Sequence, residues 1–199
     1  LKDRTAVILD TSACYAEMGG QVGDTGQLQH GDHAWRIVNT QHSGNTWLHF
    51  LQPDNLQPEN LPAAGSDVQL SVDVARRAAI QRHHTVTHLL HWALHEVVSP
   101  DASQKGSFVG PDKLTFDFNH APLTPQQIAD VERLVNERIV ENTPVTWLEA
   151  KYNHIKDRRD IMQFFGEKYG DWVRVVQIGG QPTALNGYSM ELCGGTHCR

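Results

Sequence analysis

Asp73-Val-Ala-Arg-Arg-Ala-Ala-Ile-Gln-Arg-His-His-Thr-Val-Thr-His-Leu-Leu-His-Trp-Ala-Leu-His-Glu-Val-Val98 reads as one long helix. Asp73 supplies an N-cap and Ser99-Pro100 stops the run. At about 100° per residue, Ala79, Val86, Leu90, Ala93, Leu94 and Val97 form an apolar stripe, expected to face a core. His84, His88, His91 and His95 fall within an arc of about 60° on another flank. Four imidazoles at helical spacing on one flank is the first hint of chemistry.

The segments on either side fix the class. Upstream, Thr5–Asp10, Trp35–Val38, Thr46–Leu51 and Val68–Val72 have the alternation and composition of short strands. Gly19-Gly20, Gly23 and Gly26 punctuate them, and residues 53–67 read as loop from their Pro, Asn and Gly content. Downstream, Ser107–Val109 and Leu114–Phe118 are strand-like. Thr124-Pro125-Gln126-Gln127 is a capping box opening a second helix, with Ile128, Val131, Leu134, Val135 and Ile139 expected inward. Val145–Leu148 and Val173–Ile178 read as strands, and Lys156–Phe165 as a short helix. Helices and strands mixed without a βαβ rhythm indicate an α+β fold. The boundary near Asp73 divides a β-rich unit, 1–72, from a second unit, 73–199.

Composition narrows the function. The 199 residues are 39% hydrophobic and 20% charged, which excludes a disordered or fibrous chain. No apolar run reaches the roughly 18 residues that span a bilayer, and no secretory signal opens the chain. The first residue, Leu1, is not an initiator methionine, so a fragment or processed product is expected. Three cysteines, Cys14, Cys193 and Cys198, are too few for a disulfide framework and suit a reducing, cytoplasmic setting. A net charge of −6 does not advertise nucleic-acid binding, so any such contact needs a local basic patch. Arg76, Arg77, Arg82 and Lys105 lie near the histidine helix and are the candidates for phosphate contacts.

Two motifs suggest a metal. His84-Thr-Val-Thr-His88 puts two imidazoles one turn apart, and Cys193-Gly-Gly-Thr-His197 can turn a thiolate and a third imidazole to one point. Thiolate plus imidazole suits tetrahedral zinc. His91 and His95 repeat the HxxxH spacing, so spacing alone does not choose the helical pair. Thr85 stands where a zincin protease needs a glutamate base.

Six segments in order carry a resemblance: Tyr15-Ala-Glu-Met-Gly-Gly-Gln-Val-Gly-Asp-Thr-Gly26, His84-Thr-Val-Thr-His-Leu-Leu-His91, Gln104-Lys-Gly-Ser107, Phe116-Asp-Phe118, Phe165-Gly-Glu-Lys-Tyr-Gly-Asp171 and Glu191-Leu-Cys-Gly-Gly-Thr-His197. Together they resemble the editing domain of alanyl-tRNA synthetases over nearly the whole chain. The resemblance implies a small β-barrel-like N-terminal unit followed by an α/β editing core. It implies zinc held by His84, His88, Cys193 and His197, with Gln104 beside the misattached amino acid or the attacking water. It implies hydrolysis of the ester in tRNA(Ala) mischarged with serine or glycine, with the remainder of the synthetase as a further partner. Met18, Val86 and Cys198 depart from the family's usual residues, and Cys198 places a second thiol next to His197. The alternative is a non-catalytic, zinc-stabilised tRNA-binding module.

Overall fold

The computed structural model describes residues 5–53, 61–164 and 169–199. Five antiparallel strands form the N-terminal sheet: β1 (Ala6–Val7), β2 (Gly26–His30), β3 (His33–Ser43), β4 (Thr46–Leu51) and β5 (Gln69–Val72), in the order β1-β4-β3-β2-β5. The order explains a correction. The expected barrel-like unit is an open sheet, with β1 and β5 as its two edges and no pairing between them. Alternation along β3 sends Trp35 and Ile37 inward to join Leu28 and Leu51 in one apolar cluster. The sequence reading missed β2, because Gly26 looks like turn chemistry. In fact Gly26 is a close-approach position. A Cβ there would collide with the Ser71 carbonyl of β5.

Helix α1 (Val74–Val97) begins where expected, and Asp73 caps it by accepting from Arg76 N at 3.0 Å. Its buried face takes in Ala93 and Leu94 of the expected apolar stripe but extends round onto the histidine flank. Ile80, His84, Thr85, Thr87, His88, Leu89, His91, Ala93 and Leu94 are the buried residues, whereas Ala79, Val86, Leu90 and Val97 are only half-buried. The histidine flank faces the interior because a second structural layer packs on it. That layer begins with the hairpin β6 (Gln104–Val109) and β7 (Leu114–Phe118), whose Phe116 and Phe118 lie against α1.

Helix α2 (Pro125–Glu141) carries the full capping box at Thr124, with the Thr124 hydroxyl accepting from Gln127 N at 3.2 Å and Gln127 Oε1 accepting from Thr124 N at 3.0 Å. Val131 is buried, and Leu134 and Val135 pack beside it against α1. Ile128 and Ile139, expected inward, are 53% and 47% exposed. The helix rests on α1 along a narrow line, so the outer positions of its stripe have nothing to cover them.

A three-stranded antiparallel sheet completes the chain: β8 (Val145–Lys151), β9 (Trp172–Ile178) and β10 (Ser189–Leu192), in the order β10-β9-β8. The helix expected over Lys156–Phe165 is absent from the described part of that segment. Helix α3 (Tyr152–Ile155) ends before it, and Met162 is held as a β-bridge to Glu191, with Met162 N donating to Met190 O at 2.8 Å. Strand pairing has taken the backbone groups that a helix would have used. Phe165 and part of the Phe165–Asp171 motif lie outside the described residues. No helix among the described residues is long and apolar enough to cross a membrane.

Candidate metal centre

Two elements far apart in sequence build the site. The first is the buried flank of α1. The second is the loop after β10, which leaves the sheet at Leu192 and carries Cys193, Gly194, Gly195, Thr196 and His197 against that flank. One potential ligand atom from each of His84, His88, Cys193 and His197 lies within 4.8 Å of all the others. Cys193 Sγ is 3.5 Å from His84 Nε2 and 3.3 Å from His197 Nε2. The ring centroids of His84 and His88 lie 4.2 and 4.5 Å from that of His197.

Gly195 is required by this approach. A Cβ there would fall onto the His84 ring and Gln21 Oε1. Arg174 of β9 fixes the same loop, its Nε donating to Cys193 O at 2.8 Å and its Nη2 to Gly195 O.

Hydrogen bonds behind the rings set their tautomers. Gln21 is fully buried and spans from the N-terminal unit into the site. Its Oε1 accepts from Thr196 N at 2.9 Å and lies 2.7 Å from His84 Nδ1. Its Nε2 donates to Thr196 Oγ1 at 2.9 Å. An amide oxygen only accepts, so His84 Nδ1 carries the proton and Nε2 presents a lone pair toward Cys193. His197 Nδ1 lies 3.3 Å from Thr85 Oγ1, which leaves Nε2 facing the thiol. His88 Nδ1 is buried with no hydrogen-bond partner among the described residues, an orphan that calls for explanation.

The protonation states suit ligation. Burial works against ionisation of Cys193, but its contacts with the His197, His84 and His88 rings hold its thiol well below the usual range. Burial pushes His197 down to about 3, so it is neutral. A thiolate, the neutral His197 ring, the Nε2 lone pair of His84 and, once it gives up its proton, the ring of His88 form a donor set that fits a divalent cation.

His88 behaves differently. Burial lowers its pKa, but the charges of Glu191 and Cys193 outweigh this and raise it to about 9. A metal binding at neutral pH must therefore displace one proton from His88. The expected outcome is an apparent metal affinity that climbs about tenfold per pH unit up to roughly pH 9 and then levels. Chelator competition across that range measures it. A flat profile between pH 7 and 9 contradicts it.

The rival pair does not join the cluster. His91 Nε2 and His95 Nε2 both turn to Ala102 O, at 3.3 and 2.6 Å, and His91 Nδ1 meets Glu191 Oε1 at 3.0 Å. Cys198 also stays outside it, with its backbone N donating to Thr85 Oγ1 at 3.1 Å.

A cleft of about 490 Å³ opens onto the cluster, lined by His84, His88, Cys193, Gln104, Ser107 and Glu191. Gln104, half-buried at the start of β6, donates from Nε2 to Ser107 Oγ at 2.9 Å. A larger cleft of about 790 Å³ lies across the loop but includes only His197 of the four and does not include Gln104. The smaller one carries three of the four cluster residues. Lys105 lines that smaller cleft. Arg76 and Arg77, expected near phosphates, are occupied elsewhere. Arg77 pairs with buried Asp24, and Arg76 Nη1 donates to Gly23 O at 2.9 Å. They clamp the start of α1 to the loop before β2.

Two residues of this site escaped the sequence reading. Gln21 sits in a glycine-rich stretch that reads as turns. Glu191 is a buried carboxylate in a strand that shows no alternation, with all four of its residues buried.

Comparison with known proteins shows that the chain is similar to a part of tRNA synthetases. Residues 2–76 match the family model described as tRNA synthetases class II (A). Over nearly its whole length the chain is homologous to a segment of alanine–tRNA ligases. It is 48% identical over 195 residues to the alanine–tRNA ligase of Akkermansia muciniphila, covering 98% of this chain and 20% of that protein. It is 44% identical over 198 residues to that of Dichelobacter nodosus and 41% identical over 199 residues to that of Paracoccus denitrificans, each covered to 22%. The chain thus spans about a fifth of the length of the relatives it matches.

Proposed function

We propose that this chain is an editing segment that hydrolyses the ester of tRNA(Ala) mischarged with serine or glycine. The observation that carries the reading is the meeting of His84, His88, Cys193 and His197 in one cluster, three of which, His84, His88 and Cys193, line a cleft that also presents Gln104. Homology to a segment of alanine–tRNA ligases supports tRNA as the substrate class. Residues 1–72 act as the β-rich support, reaching into the site through Gln21, and 73–199 as the editing core. The remainder of a synthetase chain is the partner, and the reducing cytoplasm suits three unpaired cysteines.

The chemistry follows from a limit on selectivity. A synthetic site shaped for alanine cannot strongly reject glycine, and one added hydroxyl is weakly discriminated, differences of about 1–3 kcal/mol. Serine is larger than alanine, so a second site that removes serine and spares alanine must bond the serine hydroxyl rather than sort by size. The Gln104 amide and the Ser107 hydroxyl supply donors and acceptors at the mouth of the cleft. Zinc held by His84, His88, Cys193 and His197 would supply a fixed positive charge and a Lewis acid beside the ester. Gly19, Gly20 and Phe164 line the same cleft.

The test is turnover of seryl-, glycyl- and alanyl-tRNA(Ala) by the metal-loaded chain. Serine and glycine released with alanine spared is the expected result. Equal rates on all three, or no turnover, overturns it. One observation favours the non-catalytic module instead: four protein ligands already complete a tetrahedral shell, as in structural sites. In that case Gln104→His leaves any hydrolysis untouched, whereas the editing reading expects it to fall.

A further inference from the structure

Glu191 lies in β10, is 3% exposed, and opposes Val176 in the sheet register. A carboxylate in such a place costs several kcal/mol unless it is paired. Its pairs are both histidines of α1. Oε1 is 3.0 Å from His91 Nδ1, and Oε2 is 3.6 Å from His88 Nε2, an ion-pair distance too long for a hydrogen bond. His91 is itself fixed, with Nε2 against Ala102 O at 3.3 Å and its ring 5.2 Å from that of Phe116.

The rings of the cluster divide by what steers them. Gln21 holds His84 and Thr85 holds His197, each through a neutral side chain. His88 has no such neutral partner among the described residues, and Glu191 is the one polar side chain outside the ligand cluster that the contacts place beside its ring. We infer that Glu191, anchored by His91, is the positioning residue that orients His88 toward the metal. The inference rests on the reading that the four-residue cluster holds a metal. His91 and His95, which repeat the spacing of the ligand pair, then divide into different tasks. His91 braces the carboxylate, and His95 closes the ring stack at Ala102 O, its centroid 4.7 Å from that of His91.

Outer-sphere partners of this kind change metal affinity by about 10–100-fold. The experiment titrates Zn2+ against a chelator into the full chain and its Glu191→Gln, His91→Gln and double variants. Histidine side-chain nitrogen spectra are recorded on the zinc-loaded forms. A 10–100-fold weaker affinity in each single variant is expected, with the double variant no weaker than the worse single one, because both act through one contact. In Glu191→Gln the His88 ring signals should shift or broaden, while those of His84 and His197 stay in place. A merely structural role would move all three rings or none. Should Glu191→Gln fail to fold, His91→Gln keeps the carboxylate and still tests the brace. Wild-type affinity in both single variants, or disturbance of all three rings together, overturns the inference and leaves the cluster reading standing. No zinc uptake by the wild-type chain overturns both.

Discussion

Replacing Cys193 by alanine is expected to lower zinc affinity by about two to three orders of magnitude, whereas Cys198→Ala leaves it unchanged. Four-ligand zinc sites in small domains bind with about 10–16 kcal/mol, so one ligand of four carries about 2.5–4 kcal/mol. Cys193 Sγ sits among the three rings, whereas Cys198 lies outside the cluster with its backbone N–H donating to Thr85 Oγ1. Alanine at 198 keeps that bond. Metal-to-protein ratios after dialysis, together with competition against a chelator, separate the two variants. If Cys198→Ala loses the metal and Cys193→Ala keeps it, the sulfur has been assigned to the wrong cysteine.

Gly195→Ala is expected to be comparably damaging through packing alone. The added methyl would land on Cε1 and Nδ1 of His84 and on Gln21 Oε1. The His84 ring has little room to retreat, because it is buried and tied to Gln21 at 2.7 Å. Overpacking of this kind costs about 3 kcal/mol, and here relief can come only by moving a metal-directed ring. Stability in urea should fall and zinc uptake should fail together. Gly194→Ala is the control, since its Cβ would meet only Met18 Cε at an ordinary 3.6 Å. Equal behaviour of the two variants would contradict the close approach of the loop to α1.

These two expectations show which features the sequence exposes and which it hides. Local chemistry was readable. Asp73 and Thr124 cap the helices where their side chains and spacing require it. The Cys193–His197 spacing pointed to one focus without any structure. Choosing His84 and His88 over His91 and His95 was not possible from spacing, because both pairs obey the same 3.6-residue period. The resemblance chose the first pair, and contacts with Ala102 and Glu191 give a physical reason for the other pair to turn away. The burial of the histidine flank was not legible for a related reason. A helical wheel ranks side chains by polarity, but these imidazoles are buried against one another, Cys193 and Glu191.

Non-local pairing was the least legible. Whether strands close into a barrel depends on whether β1 meets β5, and no local signal in Ala6–Val7 or Gln69–Val72 decides that. Gln21 reaches Thr196 across 175 positions, so its role beside His84 could not be read from a stretch that looks like turns. Met162 pairs with the β10 backbone rather than continuing a helix, again because of a distant strand.

The central claim is that one divalent cation is held jointly by the α1 pair and the loop after β10. A crystal of the zinc-soaked chain, with data collected on both sides of the zinc absorption edge, examines it most directly. The account predicts a single anomalous peak about 2.0–2.1 Å from one nitrogen each of His84, His88 and His197 and about 2.3 Å from Cys193 Sγ. An ordered Cys193 with no peak beside it, or a peak bound instead by His91, His95 or Cys198, would contradict it.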